Sequence, residues 1–114
     1  GKIEVHVQED GKKRTMELGP GDMYLHPGKV PHSPVRHENS IGLVIERKRV
    51  SKDAVDGLLW YCENCNNKLH ETYFKLDDIE KDFLPRFTEF YTSEKLRTCD
   101  VCGTIMEIDD RFVK

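Results

Sequence analysis

No apolar run in the 114 residues approaches the roughly 18 that a membrane-spanning helix needs, so no membrane partner is expected. A basic surplus is lacking too: 18 Lys and Arg stand against 21 Asp and Glu, for a formal charge of −3. Proteins that hold nucleic acid through its phosphates ordinarily carry such a surplus, so a nucleic-acid binder is not the expected class. The first fourteen residues are polar and contain no apolar leader, which sets the expectation of a cytoplasmic protein. Internal repeats and low-complexity tracts are missing, which argues against a repeat array. The length allows at most one ordinary domain with a modest core, since domains run from about 50 to 250 residues.

Cysteine is scarce, four residues in all, yet its placement is the loudest signal present. Cys62 and Cys65 form one C-x-x-C, Cys99 and Cys102 another, and 33 residues separate the two pairs. A reducing compartment disfavours structural disulfides. Two such knuckles are the usual way to build one tetrahedral thiolate metal site. The spacer exceeds the roughly 15–20 residues of common zinc ribbons, so it must hold a hairpin or helix of its own. Redox chemistry at each C-x-x-C is the alternative, although two motifs bracketing one segment is not its usual arrangement.

The first half reads as short strands. Ile3, Val5 and Val7 alternate with Lys2, Glu4, His6 and Gln8, the period of a half-buried strand. Asp10-Gly11 is a hairpin turn signal, with a second strand over Arg14–Leu18. Gly19-Pro20-Gly21-Asp22 punctuates the chain, Met23–His26 resumes extended structure, and Ile41-Gly42-Leu43-Val44-Ile45 reads as a buried strand. Closely spaced strands with Gly/Pro turns predict a sandwich or barrel. Residues 50–57 form a polar linker, and Lys68–Leu76 a strand leaving the first knuckle. Ile79, Phe83, Phe87 and Tyr91 recur every four residues, so this aromatic stripe is read as the core face of a helix that starts near Pro85 or is broken there. The charged tail after Met106 is expected to fray.

Gly21-Asp22-Met23-Tyr24-Leu25-His26-Pro27-Gly28-Lys29-Val30-Pro31-His32 has the form G-D-x(4)-P-x(4)-H, which resembles the second conserved motif of the cupin superfamily. The continuation Pro31-His32-Ser33-Pro34-Val35-Arg36, then Gly42-Leu43-Val44-Ile45-Glu46-Arg47, then Trp60-Tyr61 with the two cysteine pairs, is similar to the 3-hydroxyanthranilate 3,4-dioxygenase family. It looks like the bacterial and fungal type, and the resemblance spans Gly1 to about Gly103. It implies an all-β fold: the C-terminal part of a cupin jelly-roll barrel over residues 1–56, then a small rubredoxin-like four-cysteine subdomain with a short helix over 57–114. It implies an Fe(II)-dependent, extradiol-type oxidoreductase of the kynurenine route to pyridine nucleotides. Such an enzyme opens the ring of 3-hydroxyanthranilate with O2 to give 2-amino-3-carboxymuconate semialdehyde, which cyclises to quinolinate. The family also suggests a homodimer.

Carried onto this chain, the resemblance makes His32 a ligand of the catalytic ferrous ion. Arg36 becomes the clamp on the substrate carboxylate, a task that suits a planar bidentate guanidinium. Glu46 becomes both a substrate-binding and a catalytic residue, accepting a hydrogen bond from the substrate's hydroxyl or amine side and assisting proton transfer. Cys62, Cys65, Cys99 and Cys102 would hold a second metal, iron or zinc. The family's iron sits in a two-histidine, one-carboxylate site whose other histidine and glutamate precede the residue matching Gly1. The chain is therefore expected to correspond to the C-terminal two thirds of such an enzyme and to supply one of three ligands. His6, on a strand face with Lys2 and Glu4, reads as solvent-facing, and His26 falls where the family has no ligand. Arg47-Lys48-Arg49 reads as a solvated face. Two non-catalytic classes stay open: a metal-ribbon binding module that recognises protein or nucleic acid, and a cupin relic that binds a small aromatic acid through Arg36 without oxygen uptake.

Overall fold

Alternating residue character builds the first sheet. Strand β1 (Ile3–Glu9) buries Val5 and Val7 on one face and carries Glu4, His6 and Gln8 on the other. Asp10 and Gly11 follow with φ of 53° and 73°, the two-residue turn whose twist matches paired strands. The chain returns antiparallel as β2 (Lys12–Leu18), with Ile3 opposite Leu18 and Val7 opposite Arg14. On the other side of β1 lies β3 (His32–Arg36), which sets His32 opposite Val7, Pro34 opposite Val5 and Arg36 opposite Ile3. The order is β2-β1-β3. As the outer strand, β3 tolerates Pro34, which has no N–H to donate.

The structure, a computed structural model, describes residues 1–46, 49 and 54–113. By contact it divides into two units, Gly1–Arg47 and Lys48–Lys114. Half of the linker expected over 50–57, residues 50–53, lies outside the described residues, as do Arg47 and Lys48 of the basic run; Asp56 and Gly57 already belong to a strand.

Between β2 and β3 the glycines make a turn. Asp22 N donates to the Gly19 carbonyl (3.1 Å), Gly19 N donates to Asp22 Oδ2 (2.7 Å), and Gly21 supplies a φ of 83° after Pro20. Two expectations are corrected here. Met23–His26 pairs with no strand, and Met23 is 95% exposed. Ile41–Ile45 is likewise neither a strand nor buried: Ile41 is fully exposed, Leu43 and Ile45 nearly so. β-branched residues favour a pleated surface only where a neighbouring strand pairs the backbone and another layer covers the side chains. These residues have neither within this unit.

In the second unit β4 (Asp56–Tyr61) and β5 (Lys68–Phe74) form an antiparallel ribbon with Trp60 opposite His70. Helix α1 (Ile79–Thr92) follows, then α2 (Glu94–Arg97). Asp78 caps α1, its side chain accepting from the amides of Glu80 and Lys81. The aromatic stripe packs as expected. Phe90 is wholly buried, stacked 4.6 Å from Trp60, and Phe87 meets the edge of the same indole at 5.6 Å. Leu58, Leu69, Leu96 and Met106 complete this core. Among the described residues the mostly β chain thus carries two short helices, and α1 supplies much of the second unit's core.

Two further expectations fail in this unit. Helix α1 runs through Pro85 without breaking. Pro85 has no N–H for the Lys81 carbonyl, but burial of Phe83, Phe87 and Phe90 on both sides of it outweighs one lost bond. The described tail, residues 107–113, is tied down instead of fraying: Phe112 stacks on Phe87 at 4.3 Å and lies parallel to Tyr91, and its carbonyl accepts from Thr88 Oγ1. Counting charges missed one aromatic ring placed to reach the core. Replacing Pro85 by alanine restores the Lys81 acceptor's partner and is expected to raise the unit's stability by about 1–2 kcal/mol in denaturant titration. A drop in stability would mean that the proline ring itself fills a needed space.

Candidate functional site

The four cysteines sit on two knuckles of the same build. In the first, Cys62 N donates to the Asn67 carbonyl (2.7 Å) and Asn66 N to the Cys62 carbonyl (2.9 Å). In the second, Cys99 N donates to the Thr104 carbonyl (2.8 Å) and Gly103 N to the Cys99 carbonyl (2.9 Å). The residue after each pair takes a positive φ, 64° at Asn66 and 77° at Gly103, which sends the chain back past its own cysteines. The β4–β5 ribbon presents the first knuckle; the bridge Thr98–Ile105 closes the second.

These knuckles bring Cys62 Sγ to 3.6 Å from Cys102 Sγ and Cys65 Sγ to 3.5 Å from Cys99 Sγ, with all four sulfurs within 4.8 Å of one another. A disulfide would need about 2.05 Å. A tetrahedron with metal–sulfur bonds of about 2.3 Å has edges of about 3.8 Å, so the spacing fits one shared ion. Cys62 and Cys99 are buried, Cys65 and Cys102 exposed.

The surroundings favour thiolates, unevenly. The Asn64 side chain, followed by the hydroxyl and amide of Thr104, holds Cys102 down at about 5. The Cys102 amide lowers Cys99, helped by the amide of Val101. Asn67 Nδ2 lies 3.6 Å from Cys99 Sγ and 2.9 Å from Asp100 Oδ1, tying one knuckle to the other. At Cys65 the Asn67 amide pulls downward, but lost hydration and three neighbouring sulfurs push the thiol up to about 12. Four thiolates this close repel one another, and a divalent cation removes that repulsion. Sequence reasoning missed Asn64, Asn67 and Thr104; their signal is an amide or hydroxyl inside or just after each C-x-x-C.

In the first unit, strand alternation sorts the remaining candidates. His32, Pro34 and Arg36 share the face of β3 that lies alongside Ile3, Val5 and Val7. His6 is on the opposite face, where Nδ1 lies 2.8 Å from Thr15 Oγ1, so it takes no part with His32. Arg36 lies against Gly42: a Cβ there would stand 3.8 Å from its guanidinium carbon and only 2.7 Å from Ile3 Cδ1. Gly42 thereby lets the segment leading to Glu46 cross beside Ile3 and Arg36. Glu46 itself is exposed. Among the described residues, the cysteines are the only group of three or more side chains placed to share a metal ion, so His32 is not joined there by two further ligands.

The turn before β3 holds a network the sequence did not announce. His26 Nε2 lies 2.8 Å and His32 Nδ1 3.1 Å from the same Val30 carbonyl, the two rings are 4.0 Å apart, and Tyr24 Oη is 3.1 Å from His26 Nδ1.

Most of the chain is similar to known proteins. A protein named 3-hydroxyanthranilate 3,4-dioxygenase from Xanthomonas campestris pv. campestris (strain 8004) is 48% identical over 112 residues, 98% of this chain and 63% of its own. One from Xanthomonas oryzae pv. oryzae (strain MAFF 311018) is 46% identical over the same share. One from Bacillus thuringiensis (strain Al Hakam) is 39% identical over 100 residues, 88% of this chain and 55% of its own. The chain thus spans about 63% of the length of the Xanthomonas relatives it matches. Residues 1–91, which include His32, Arg36, Glu46 and the first cysteine pair, fit the 3-hydroxyanthranilic acid dioxygenase family, and the chain belongs to that family.

Proposed function

We propose that this chain forms part of a 3-hydroxyanthranilate 3,4-dioxygenase, with the substrate bound on the β3 face and a structural metal at the four cysteines. The observation that carries it is the common face of His32 and Arg36, four residues apart on one strand, in a chain of this family. The reading takes the three-stranded sheet as a portion of a cupin jelly roll and the cysteine unit as rubredoxin-like, in a cytoplasmic protein that pairs as a homodimer.

His32 fits one corner of a ferrous site, because its Nδ1 is engaged by the Val30 carbonyl and its Nε2 is left to coordinate. The other ligands the family calls for lie outside the described residues. When bound, ferrous iron supplies the electron transfer that lets dioxygen react with a closed-shell ring. The residues of this chain do the rest. The Arg36 guanidinium pairs with the substrate carboxylate through two parallel N–H donors and fixes the plane of the ring. Glu46 accepts from the neighbouring hydroxyl or amino group and holds the proton released there. Ile3, Val5 and Pro34 give that face its apolar floor. Four thiolates leave a metal no open position, so the cysteine site acts on stability and not on substrate.

Oxygen consumption after anaerobic loading with ferrous iron tests this reading. In the whole enzyme of which this chain is a part, one O2 per 3-hydroxyanthranilate consumed is expected, lost in His32→Ala, whereas this chain alone, with one of three ligands, is expected to be inactive. Arg36→Lys, which keeps charge but loses the bidentate fork, is expected to lower kcat/KM about 10–100-fold, mainly through KM. One observation favours a second reading, a binding module without turnover: His32 has no two partner ligands among the described residues. Saturable binding of 3-hydroxyanthranilate that Arg36→Ala abolishes, with no oxygen uptake, would establish that instead.

A further inference from the structure

We infer that His26 is a positioning residue for His32: through the Val30 carbonyl and ring stacking it fixes the tautomer and plane of His32, presenting Nε2 as a lone pair. This goes beyond the ligand role proposed above and rests on it for its purpose, although the geometry stands without any metal.

The argument is one of donors and acceptors. A carbonyl oxygen only accepts, so each imidazole nitrogen facing the Val30 carbonyl must carry a proton. His26 Nε2, at 2.8 Å, is therefore N–H, and so is His32 Nδ1, at 3.1 Å. The two lone pairs of that oxygen serve both rings at once. In neutral His26 the remaining nitrogen, Nδ1, is an acceptor, and the Tyr24 hydroxyl at 3.1 Å is the donor it needs. In neutral His32 the remaining nitrogen, Nε2, carries the lone pair. Free imidazole side chains in water favour the opposite tautomer, so the Val30 carbonyl selects this one, and the His26 Nε2–H bond to the same oxygen holds that carbonyl where His32 Nδ1 can reach it.

The ring of His32 is held as well. Its centroid is 4.0 Å from that of His26 with the planes tilted by 45°, so rotation about its Cβ–Cγ bond meets the neighbouring ring. His26 and Tyr24 are half-buried, whereas His32 is exposed. The turn that carries the network is short: residues 26 and 32 flank Pro27, Lys29 with a φ of 63°, and Pro31, whose carbonyl accepts from Gln8 N of β1 (3.0 Å). Ligating histidines ordinarily donate their other N–H to a carbonyl or carboxylate, and loss of such a partner weakens metal binding about 10–100-fold.

The test is long-range ¹H–¹⁵N correlation of the histidine side chains of the ¹⁵N-labelled full chain, metal-free, at a pH about two units above the ordinary histidine value of about 6.5. His32 is expected as the Nδ1–H form and His26 as the Nε2–H form. In His26→Ala, His32 is expected to populate both tautomers, and in His26→Gln, whose amide can reach the same carbonyl, the Nδ1–H form is expected to return. Tyr24→Phe removes one hydroxyl without volume and is expected to mix the tautomers of His26, which keeps the question answerable if His26→Ala disorders the turn. An Nε2–H form of His32 in the unaltered chain overturns the inference, as does a His32 tautomer indifferent to His26→Ala with the fold intact. Should the tautomers follow this pattern while added Fe(II) or Co(II) leaves the Nε2 signal of His32 unmoved, the ligand role fails and the positioning stands.

Discussion

Serine at position 99 is expected to cost this protein its cysteine-bound metal and, with it, the folded state of the second unit. Elemental analysis should find one equivalent of zinc or iron in the unaltered chain and none retained after desalting in Cys99→Ser. The size of the effect follows from what the ion replaces. Without it, four sulfurs confined within 4.8 Å must stay partly protonated, and the two knuckles are joined only by contacts such as Asn67 to Asp100. Structural zinc sites contribute about 10–16 kcal/mol, comparable to the whole stability of a small domain. Thermal unfolding followed by the Trp60 fluorescence should therefore lose its cooperative transition. Retention of one equivalent by Cys99→Ser would refute the shared site.

The same site dictates a pH dependence. Cys102, held at about 5, is already a thiolate at neutral pH, whereas Cys65, pushed up to about 12, must give up a proton when the ion binds. Binding therefore releases protons, and apparent affinity should rise with pH across the neutral range and fall on acidification. A chelator competition series in buffers of different pH measures this directly; a flat or inverted profile would count against thiolate coordination by all four.

Phe90→Ala is the second large effect, expected at about 3–5 kcal/mol in denaturant unfolding. Among the described residues Phe90 is the largest side chain with no exposure, stacked on Trp60, with His70 at 6.1 Å and Tyr91 edge-on. Its removal leaves a cavity that the ribbon cannot close, because β4 and β5 are held in register at one end by the knuckle. Phe90→Leu keeps most of the volume and should cost well under half as much. A loss below about 1 kcal/mol for Phe90→Ala would mean that the helix packs on the ribbon less tightly than this geometry requires. Metal occupancy should persist in Phe90→Leu, which separates core damage from loss of the site.

The sequence by itself determined the elements whose cause is local. Alternation over residues 3–7 and the Asp10-Gly11 turn specify the hairpin, because a period of two and a positive φ need no partner from elsewhere. The two C-x-x-C pairs likewise announce a shared metal, since thiolate sites have few spacings. The loop from Gly21 to His32 and the strand to Arg36 carried the family resemblance, and relatives at 48% identity agree with it. Only the tertiary structure decided what depends on neighbours distant in sequence. Ile41–Ile45 has a strand's composition but no strand beside it. Pro85 ought to break α1, but the aromatic rings on either side of it, packed against Phe74, Trp60 and Phe112, hold the helix together. Phe112 sits in a charged tail and still reaches that core. His26, silent as a motif residue, acquires a role because a turn folds two imidazoles onto one carbonyl, and hydrogen-bond direction in three dimensions, not residue spacing, sets which nitrogen of His32 is free.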